Sequence, residues 1–344
     1  MTSIAAVDCR LVNAPTSAQL RRSFDLRSVD ENSLSPWANV HQALTHDGTP
    51  VVVKRTASSQ QRADAMASWT RTLADAGITV VTPTELDTSN PQQIEVSPAA
   101  TDEEADTSWW VVYPFVEGRP YNGSLGDIEA AGDLLGRIHA VSLTPQLEAG
   151  LRPYEWPDTV REDVDSDLET LGEVLARHAG DRAQSATNSV RALAERWWTT
   201  ALPGLRDADN AAPLPRAGVT SDYKASNLVF VDTEPVLVDP DNGGVEPRIL
   251  DLALALVLFH NECPTAPARL LTSTEWGRFA TAYLRHVTLT QRERELWPLA
   301  IDHMLWEEGT WVLEDNDDAA WVDTRQGPQL LDLALATPDR YPLP

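Results

Sequence analysis

Apolar positions along the chain first recur at strand spacing, then at helical spacing, and return to strand spacing once. Val40 to Leu44 and Val51 to Arg55 read as strands joined at His46-Asp47-Gly48, a hairpin signal. From Ser58 to Ala76 the apolar positions Ala63, Met66, Ala67, Trp69 and Leu73, with Thr70, form the mixed face of a helix. Ile78 to Val81 reads as a short strand. Trp109 to Phe115 reads as another, followed by the turn Val116-Glu117-Gly118-Arg119-Pro120. Downstream, Ile128 to Val141 carries Ile128, Ala131, Leu134, Leu135 and Ile138 at helical spacing, and 163–202 holds one or two amphipathic helices. Two short apolar runs, Leu228 to Val231 and Val236 to Val238, then flank the turn Asp232-Thr233-Glu234-Pro235. Helical spacing resumes at Arg248 to Phe259 and again over 274–336. Residues 1–32 are polar and uninformative apart from a short helix over Thr16 to Phe24, and the acidic residues 102–106 read as a loop. Strands followed by helices predict an α+β fold.

The late hairpin organises the chemistry. Asp222 precedes it, Asn227 follows five residues later, and Asp239 ends its second strand, so its outer ends bring the three together. Phosphoryl transfer needs positioning more than covalent chemistry, and these residue types suit it. Asp222 is placed to orient and deprotonate an attacking hydroxyl. Asn227 and Asp239 offer hard oxygen ligands for magnesium. Lys224 stands two positions after Asp222, near enough to neutralise phosphate charge. Asp and Asn are also ordinary turn formers, which is the competing account of the same residues.

Charge narrows the partners. The 344-residue chain has a formal net charge of −25, which repels nucleic acid and anionic membranes. The acidity fits a cationic substrate, and equally fits solubility or a salty cytoplasm. Only two lysines, Lys54 and Lys224, stand against 25 arginines. Where arginine fills nearly every basic position, a retained lysine marks a site that needs a compact ammonium. Lys54 lies in Val-Val-Val-Lys-Arg, a strand lysine suited to nucleotide phosphates or to snorkelling from an edge. Ser35, in the serine-rich turn Ser33 to Asn39 before it, is a candidate phosphate contact.

Cys9 and Cys263 make no metal-ligand spacing and no disulfide framework. The N-terminus shows no signal peptide, and the longest apolar run, Leu252 to Phe259, is far below the roughly 20 residues that span a bilayer. A cytoplasmic protein, monomer or homodimer, without nucleic-acid or membrane partners is expected. His139 reads as a packed structural histidine, and Asp251 as a group holding the preceding loop through backbone hydrogen bonds. Trp276, Trp297, Trp306, Trp311 and Trp321 read as core before ring-stacking surface. Glu307, Glu308, Glu314, Asp315, Asp317 and Asp318 form either an ammonium-binding cluster or a solvated face. Asp241 reads as a metal or substrate contact or as a turn cap.

Lys54, Tyr113-Pro114-Phe115-Val116-Glu117-Gly118, Ile138-His139-Ala140, Ser221 to Asn227, Val238-Asp239-Pro240-Asp241 and Leu250-Asp251-Leu252-Ala253 occur in order. Together they resemble the aminoglycoside phosphotransferase and choline kinase group of small-molecule kinases over about residues 35–260. The resemblance implies a protein-kinase-like, two-lobe fold. An N-lobe over 1–117 has an antiparallel sheet plus a helix, and a mostly helical C-lobe covers 118–344. It makes Asp222 the base, Asn227 and Asp239 the magnesium ligands, and Lys54 a contact of ATP, with GTP an alternative. Tyr113 and Phe115 at the hinge, Ser35 and Lys224 would complete the nucleotide site, and Asp241, Glu262, Glu307 and Glu308 would face the acceptor. The chain departs from the family at Thr220-Ser221, where His-Gly is usual. It also lacks a helix Glu for Lys54, Asp64 being the nearest substitute. The expected activity is ATP- and magnesium-dependent transfer to a hydroxyl of a small cationic molecule, first an aminoglycoside or aminocyclitol antibiotic. The alternatives are a metabolic amino-sugar or amino-alcohol kinase and a nucleotide-binding pseudokinase.

Overall fold

The computed structural model describes residues 15–35, 38–95 and 107–344. The acidic stretch 102–106, Cys9, and Pro36 and Trp37 of the serine-rich turn lie outside them. Thr16 caps α1 (Ser17–Ser23) through a reciprocal side-chain and backbone box with Gln19. β1 (Ser28–Ser33), β2 (Val40–Leu44), β3 (Pro50–Ala57), β4 (Gln92–Glu95) and β5 (Thr107–Pro114) form one antiparallel sheet, in the order β1-β2-β3-β5-β4. Between β3 and β4 runs α2 (Gln60–Asp75), capped by Ser59. Strand alternation divides β3 between two faces. Val51 and Val53 pack with Leu20, Phe24, Trp110 and Val112 on one side. Val52, Lys54 and Thr56 point to the other.

Three expectations for this half need correction. The stretch taken as uninformative contains β1, whose residues Ser-Val-Asp-Glu-Asn-Ser are polar because an edge strand stays wet and resists further pairing. Ile78 to Val81 is not a strand. It makes a single bridge, Val80 to Leu237, and Pro83 has no N–H to extend the ladder. The turn placed at Asp232 to Pro235 is tighter, since Glu234 and Pro235 already pair with Val231 and Phe230.

The remaining chain is helical around two small sheets. β6 (Arg119–Pro120), β9 (Leu228–Val231) and β10 (Glu234–Leu237) form one, in the order β10-β9-β6. β7 (Arg152–Pro153), β8 (Arg216–Val219) and β11 (Gly244–Pro247) form the other, in the order β7-β11-β8. The helices are α3 (Leu125–Ala140), α4 (Pro145–Gly150), α5 (Arg161–His178), α6 (Ala183–Arg196), α7 (Leu202–Ala211) and α8 (Arg248–Leu258). They continue as α9 (Ser273–Tyr283), α10 (Gln291–Met304), α11 (Thr310–Asp315), α12 (Asp318–Val322) and α13 (Gln326–Ala334). A π turn at Leu305–Gly309 joins α10 to α11. α3 lies unusually close to α9. A Cβ on Gly132 would sit 2.2 Å from the Phe279 carbonyl oxygen, and one on Gly136 2.5 Å from that of Tyr283. Trp276 stacks on Trp297 at 5.3 Å and Trp306 on Trp197 at 5.4 Å, all buried. These tryptophans are core; Trp311 is partly exposed. Among the described residues no helix is long and apolar enough to cross a membrane. The fold is kinase-like α+β, an antiparallel sheet beside a mostly helical half.

Candidate active site

β8 delivers the chain to Asp222, and two buried groups set its exit. The Ser221 amide donates to Asp251 Oδ1 at 3.1 Å, while Asp251 Oδ2 lies 2.9 Å from His139 Nε2. His139 Nδ1 meets the Tyr283 hydroxyl at 3.0 Å. Ser221 itself takes a left-handed conformation, φ 51°, which Cβ-bearing residues adopt only when their surroundings enforce it. The Asn227 amide nitrogen donates to the Asp222 carbonyl at 2.9 Å and to its Oδ2 at 3.0 Å. The Val238 amide donates to the Asn227 carbonyl at 3.0 Å, closing the outer ends of the hairpin. On its other side Asp222 Oδ1 is 3.3 Å from Lys224 Nζ, which also meets Glu262 Oε2 at 2.9 Å. Burial lifts the Asp222 pKa above the usual aspartate value, and the Lys224 ammonium opposes that lift.

Lys54 reaches across from β3 to the same end of the hairpin. Its ammonium contacts Asp239 Oδ1 and lies 3.0 Å from Asp241 Oδ2. Burial works against the charge on Lys54, but the two carboxylates outweigh it and hold its pKa above the ordinary lysine value. Asp64 is exposed on α2, and Lys54 pairs instead with Asp239 and Asp241. Asp241 accordingly does not face an acceptor. It is buried, and its Oδ1 accepts hydrogen bonds from Thr56 at 3.0 Å and Tyr113 at 2.7 Å. The turn at Asp239 to Gly244 is tethered to α2. The Arg62 guanidinium, from the first turn of α2, donates to the carbonyls of Asp241, Asn242 and Gly243 at 3.5, 3.4 and 3.2 Å. Beyond that turn β11 begins at Gly244, a strand hidden in the sequence by its glycines and Pro247.

The other expected nucleotide residues take distinct places. Tyr113 is buried, and its phenol donates to Asp241. With Val81 and Val111 it forms an apolar shelf on which Val116, Val236 and Val238 pack. The Phe115 amide donates to the Pro50 carbonyl at 3.2 Å. Ser35 lies in the β1–β2 turn, where its amide donates to Ser33 Oγ at 3.2 Å. Asp239 keeps 37% of its side chain exposed. Asn227 has its amide hydrogens on Asp222, which leaves its carbonyl oxygen as the acceptor end. This donor set fits magnesium, which takes one or two protein oxygens and fills the rest of its shell from phosphate and water. Among the described residues no cluster of three or more His, Cys, Asp and Glu forms a ready-made cage.

Acidic side chains also stand near Asp222: Glu308 feels its charge, and Glu246 holds the neighbouring Ser221. The π turn carries Glu307 and Glu308, and such turns recur at functional sites. Burial raises Glu307 to about 8, helped by the charges of Glu308 and Asp167. Burial raises Glu308 to about 7, helped by Asp222 and opposed by Arg152. Glu246 on β11, also raised to about 7 by burial and then by Asp251, accepts from Ser221 Oγ at 2.6 Å. The acidic run thus splits. Glu307, Glu308 and Glu314 are partly buried, whereas Asp315, Asp317 and Asp318 are solvated, Asp317 capping α12. Glu262 turns to Lys224. The sequence reading missed Glu246, Thr56, Arg62 and Tyr154. A signal existed for two of them: Thr56 continues the Val52, Lys54 alternation, and Glu246 interrupts an otherwise apolar approach to α8.

A model of the APH phosphotransferase enzyme family matches residues 35–299. The chain belongs to that family. This phosphotransferase is therefore a small-molecule kinase acting on an alcohol group. No curated protein matches its sequence. Among solved structures it is similar to the amicoumacin kinase hAmiN in complex with AMP-PNP, calcium and Ami, at 15% identity and TM-score 0.57, covering 97% of this chain and 92% of that one. A spectinomycin phosphotransferase in complex with ADP and spectinomycin matches at 14% identity and TM-score 0.59, covering 94% and 97%. A microcompartment-associated aminopropanol kinase matches at 13% identity and TM-score 0.59, covering 94% and 96%. At these identities the likeness establishes the phosphotransferase fold.

Proposed function

We propose that this phosphotransferase uses ATP and magnesium to phosphorylate a hydroxyl of a small cationic molecule, foremost an aminoglycoside- or aminocyclitol-type antibiotic. The observation that carries the reading is a chain of acidic groups near Asp222: Glu308, which feels its charge, Glu307 next to Glu308, and buried Glu246, which holds Ser221. These acids share one nearby cation, Arg152, and their pKa values stay raised; that favours an ammonium-bearing ligand, whose charge returns them to the ionised state.

In this reading Asp222 accepts the proton of the acceptor hydroxyl as its oxygen attacks the γ-phosphorus and ADP departs. Asn227 keeps the Asp222 carboxylate aligned. Asn227 and Asp239 hold magnesium, which when bound neutralises charge on the phosphate oxygens. Lys54 reaches the phosphates from between Asp239 and Asp241, with Asp241 in the counter-ion role of the absent helix Glu. Lys224 faces the transferred group. Residues 1–117 supply the nucleotide side and 118–344 the catalytic and acceptor side. The cytoplasm, where ATP is available, is the fitting compartment.

The second reading is a metabolic amino-sugar or amino-alcohol kinase, because the same carboxylates suit those amines and one similar structure is an aminopropanol kinase. The test is ATP turnover with magnesium across aminoglycosides, aminocyclitols, amino sugars and amino alcohols, with product mass. One added phosphate on a single class chooses between the readings. Nucleotide binding without transfer to any of them points to a pseudokinase and overturns both. Asp222→Asn is expected to abolish transfer with ATP binding retained, and unchanged turnover removes Asp222 from the role of base.

A further inference from the structure

Three aromatic groups near Glu307 fix the direction of one hydrogen. Trp197 Nε1 only donates, so His303 Nδ1, 2.9 Å away, is its acceptor. His303 is fully buried, and burial holds its pKa down at about 3, so the ring is neutral with its single hydrogen on Nε2. Nε2 lies 2.6 Å from the Tyr154 oxygen and donates to it. The phenol hydrogen of Tyr154 is thereby directed away from His303, and among the described residues no protein acceptor receives it.

The backbone sets where that hydrogen is offered. The Tyr154 amide donates to the Val245 carbonyl at 3.0 Å, one residue from Glu246, and β7 pairs with β11 just before it. Glu246 in turn holds Ser221, the neighbour of Asp222. The charges acting on the phenol are those of Glu307, Glu246 and Glu308, with Arg216 opposing. Tyr154 thus stands on the acceptor side of Asp222 with a donor to give, among groups that can only accept when ionised.

We propose that Tyr154 is an acceptor-binding residue, donating its hydroxyl hydrogen to an oxygen of the acceptor while Glu307 and Glu308 hold a neighbouring ammonium. This rests on the acceptor-side reading given under Proposed function and narrows it. The acceptor carries an ammonium, the hydroxyl that reacts, and a second oxygen that accepts from Tyr154. Amino sugars and aminocyclitols meet all three demands. Simple amino alcohols, with one oxygen, do not.

The experiment compares the full chain with Tyr154→Phe, using ATP, magnesium and three probes: spectinomycin, glucosamine and ethanolamine. The expected result is transfer to a probe with a second oxygen, and a rise of about tenfold in its KM in Tyr154→Phe, as loss of one hydrogen bond gives. Its kcat and the KM for ATP stay unchanged. Transfer whose acceptor KM does not move, or transfer to ethanolamine alone, overturns the role of Tyr154 and leaves the kinase reading standing. Absence of transfer and of binding for all three probes overturns the acceptor-side reading and this proposal with it. A second measurement needs no variant and no acceptor. The nitrogen-15 shifts of His303 are expected to place its proton on Nε2, and a proton on Nδ1 overturns the inference outright.

Discussion

Replacing Glu307 by glutamine is expected to make the ligand-free protein more stable and the enzyme worse. Glu307 is raised from 4.5 to about 8, with burial the leading cause. A carboxylate lifted in this way contributes stability that is present below about pH 4.5 and disappears as pH rises through about 8. At 1.36 kcal/mol per pH unit the full effect has a ceiling of about 4 to 5 kcal/mol. The side chain opens partly to the cleft, and screening there reduces the realised effect to about 1 to 2 kcal/mol. Glutamine keeps the volume and removes the titration. The Tm of Glu307→Gln is therefore expected to equal that of the native protein near pH 4.5. It should exceed it by about 1 to 3 °C at pH 8.5, taking about 2.1 cal/mol/K of unfolding entropy per residue. The assay is thermal unfolding from pH 4.5 to 8.5 without acceptor, paired with acceptor KM at pH 8. A lower Tm at pH 8.5, or a difference that does not vary with pH, refutes the reasoning, as does an unchanged acceptor KM.

Other perturbations separate the parts of the site. The rate of transfer is expected to fall with acidification around a pKa above the roughly 3.9 of free aspartate, because burial lifts Asp222; a pH–kcat profile checks this. Lys54→Met leaves Asp241 buried without its cation, so a loss of about 3 kcal/mol or more is expected in denaturant unfolding, with raised KM for ATP. Gly136→Ala forces a Cβ against the Tyr283 carbonyl, and a loss of about 1 to 3 kcal/mol with unchanged acceptor KM is expected at neutral pH.

The hairpin and the helices were readable because each depends on near neighbours in sequence. Leu228 to Val231 carries its own period, and Asp222, Asn227 and Asp239 come together through one short turn. The edge strand β1 was hidden because its side chains face water, so no apolar pattern marks it. Ile78 to Val81 misled for the opposite reason: an apolar run was buried by a single bridge, not by a ladder. Asp241 looked like a turn residue because its partners, Lys54, Thr56 and Tyr113, are remote in sequence. Tyr154 and His303 were invisible because their value lies in the direction of a hydrogen, which no spacing encodes.

The near absence of lysine gives the protein a built-in reporter of opening. A protease that cuts only after lysine finds two places to act in 344 residues, and both lie within the site. Lys54 is in the middle strand of the sheet, and Lys224 is clasped between Asp222 and Glu262. Cleavage requires that the local backbone first come free, so digestion measures the population of opened protein and ignores surface fraying. The two cuts give fragments of different length, beginning at Arg55 or at Ala225. Their relative yield tells which side of the cleft loosens first, and a bound nucleotide or acceptor is read as protection of its own side.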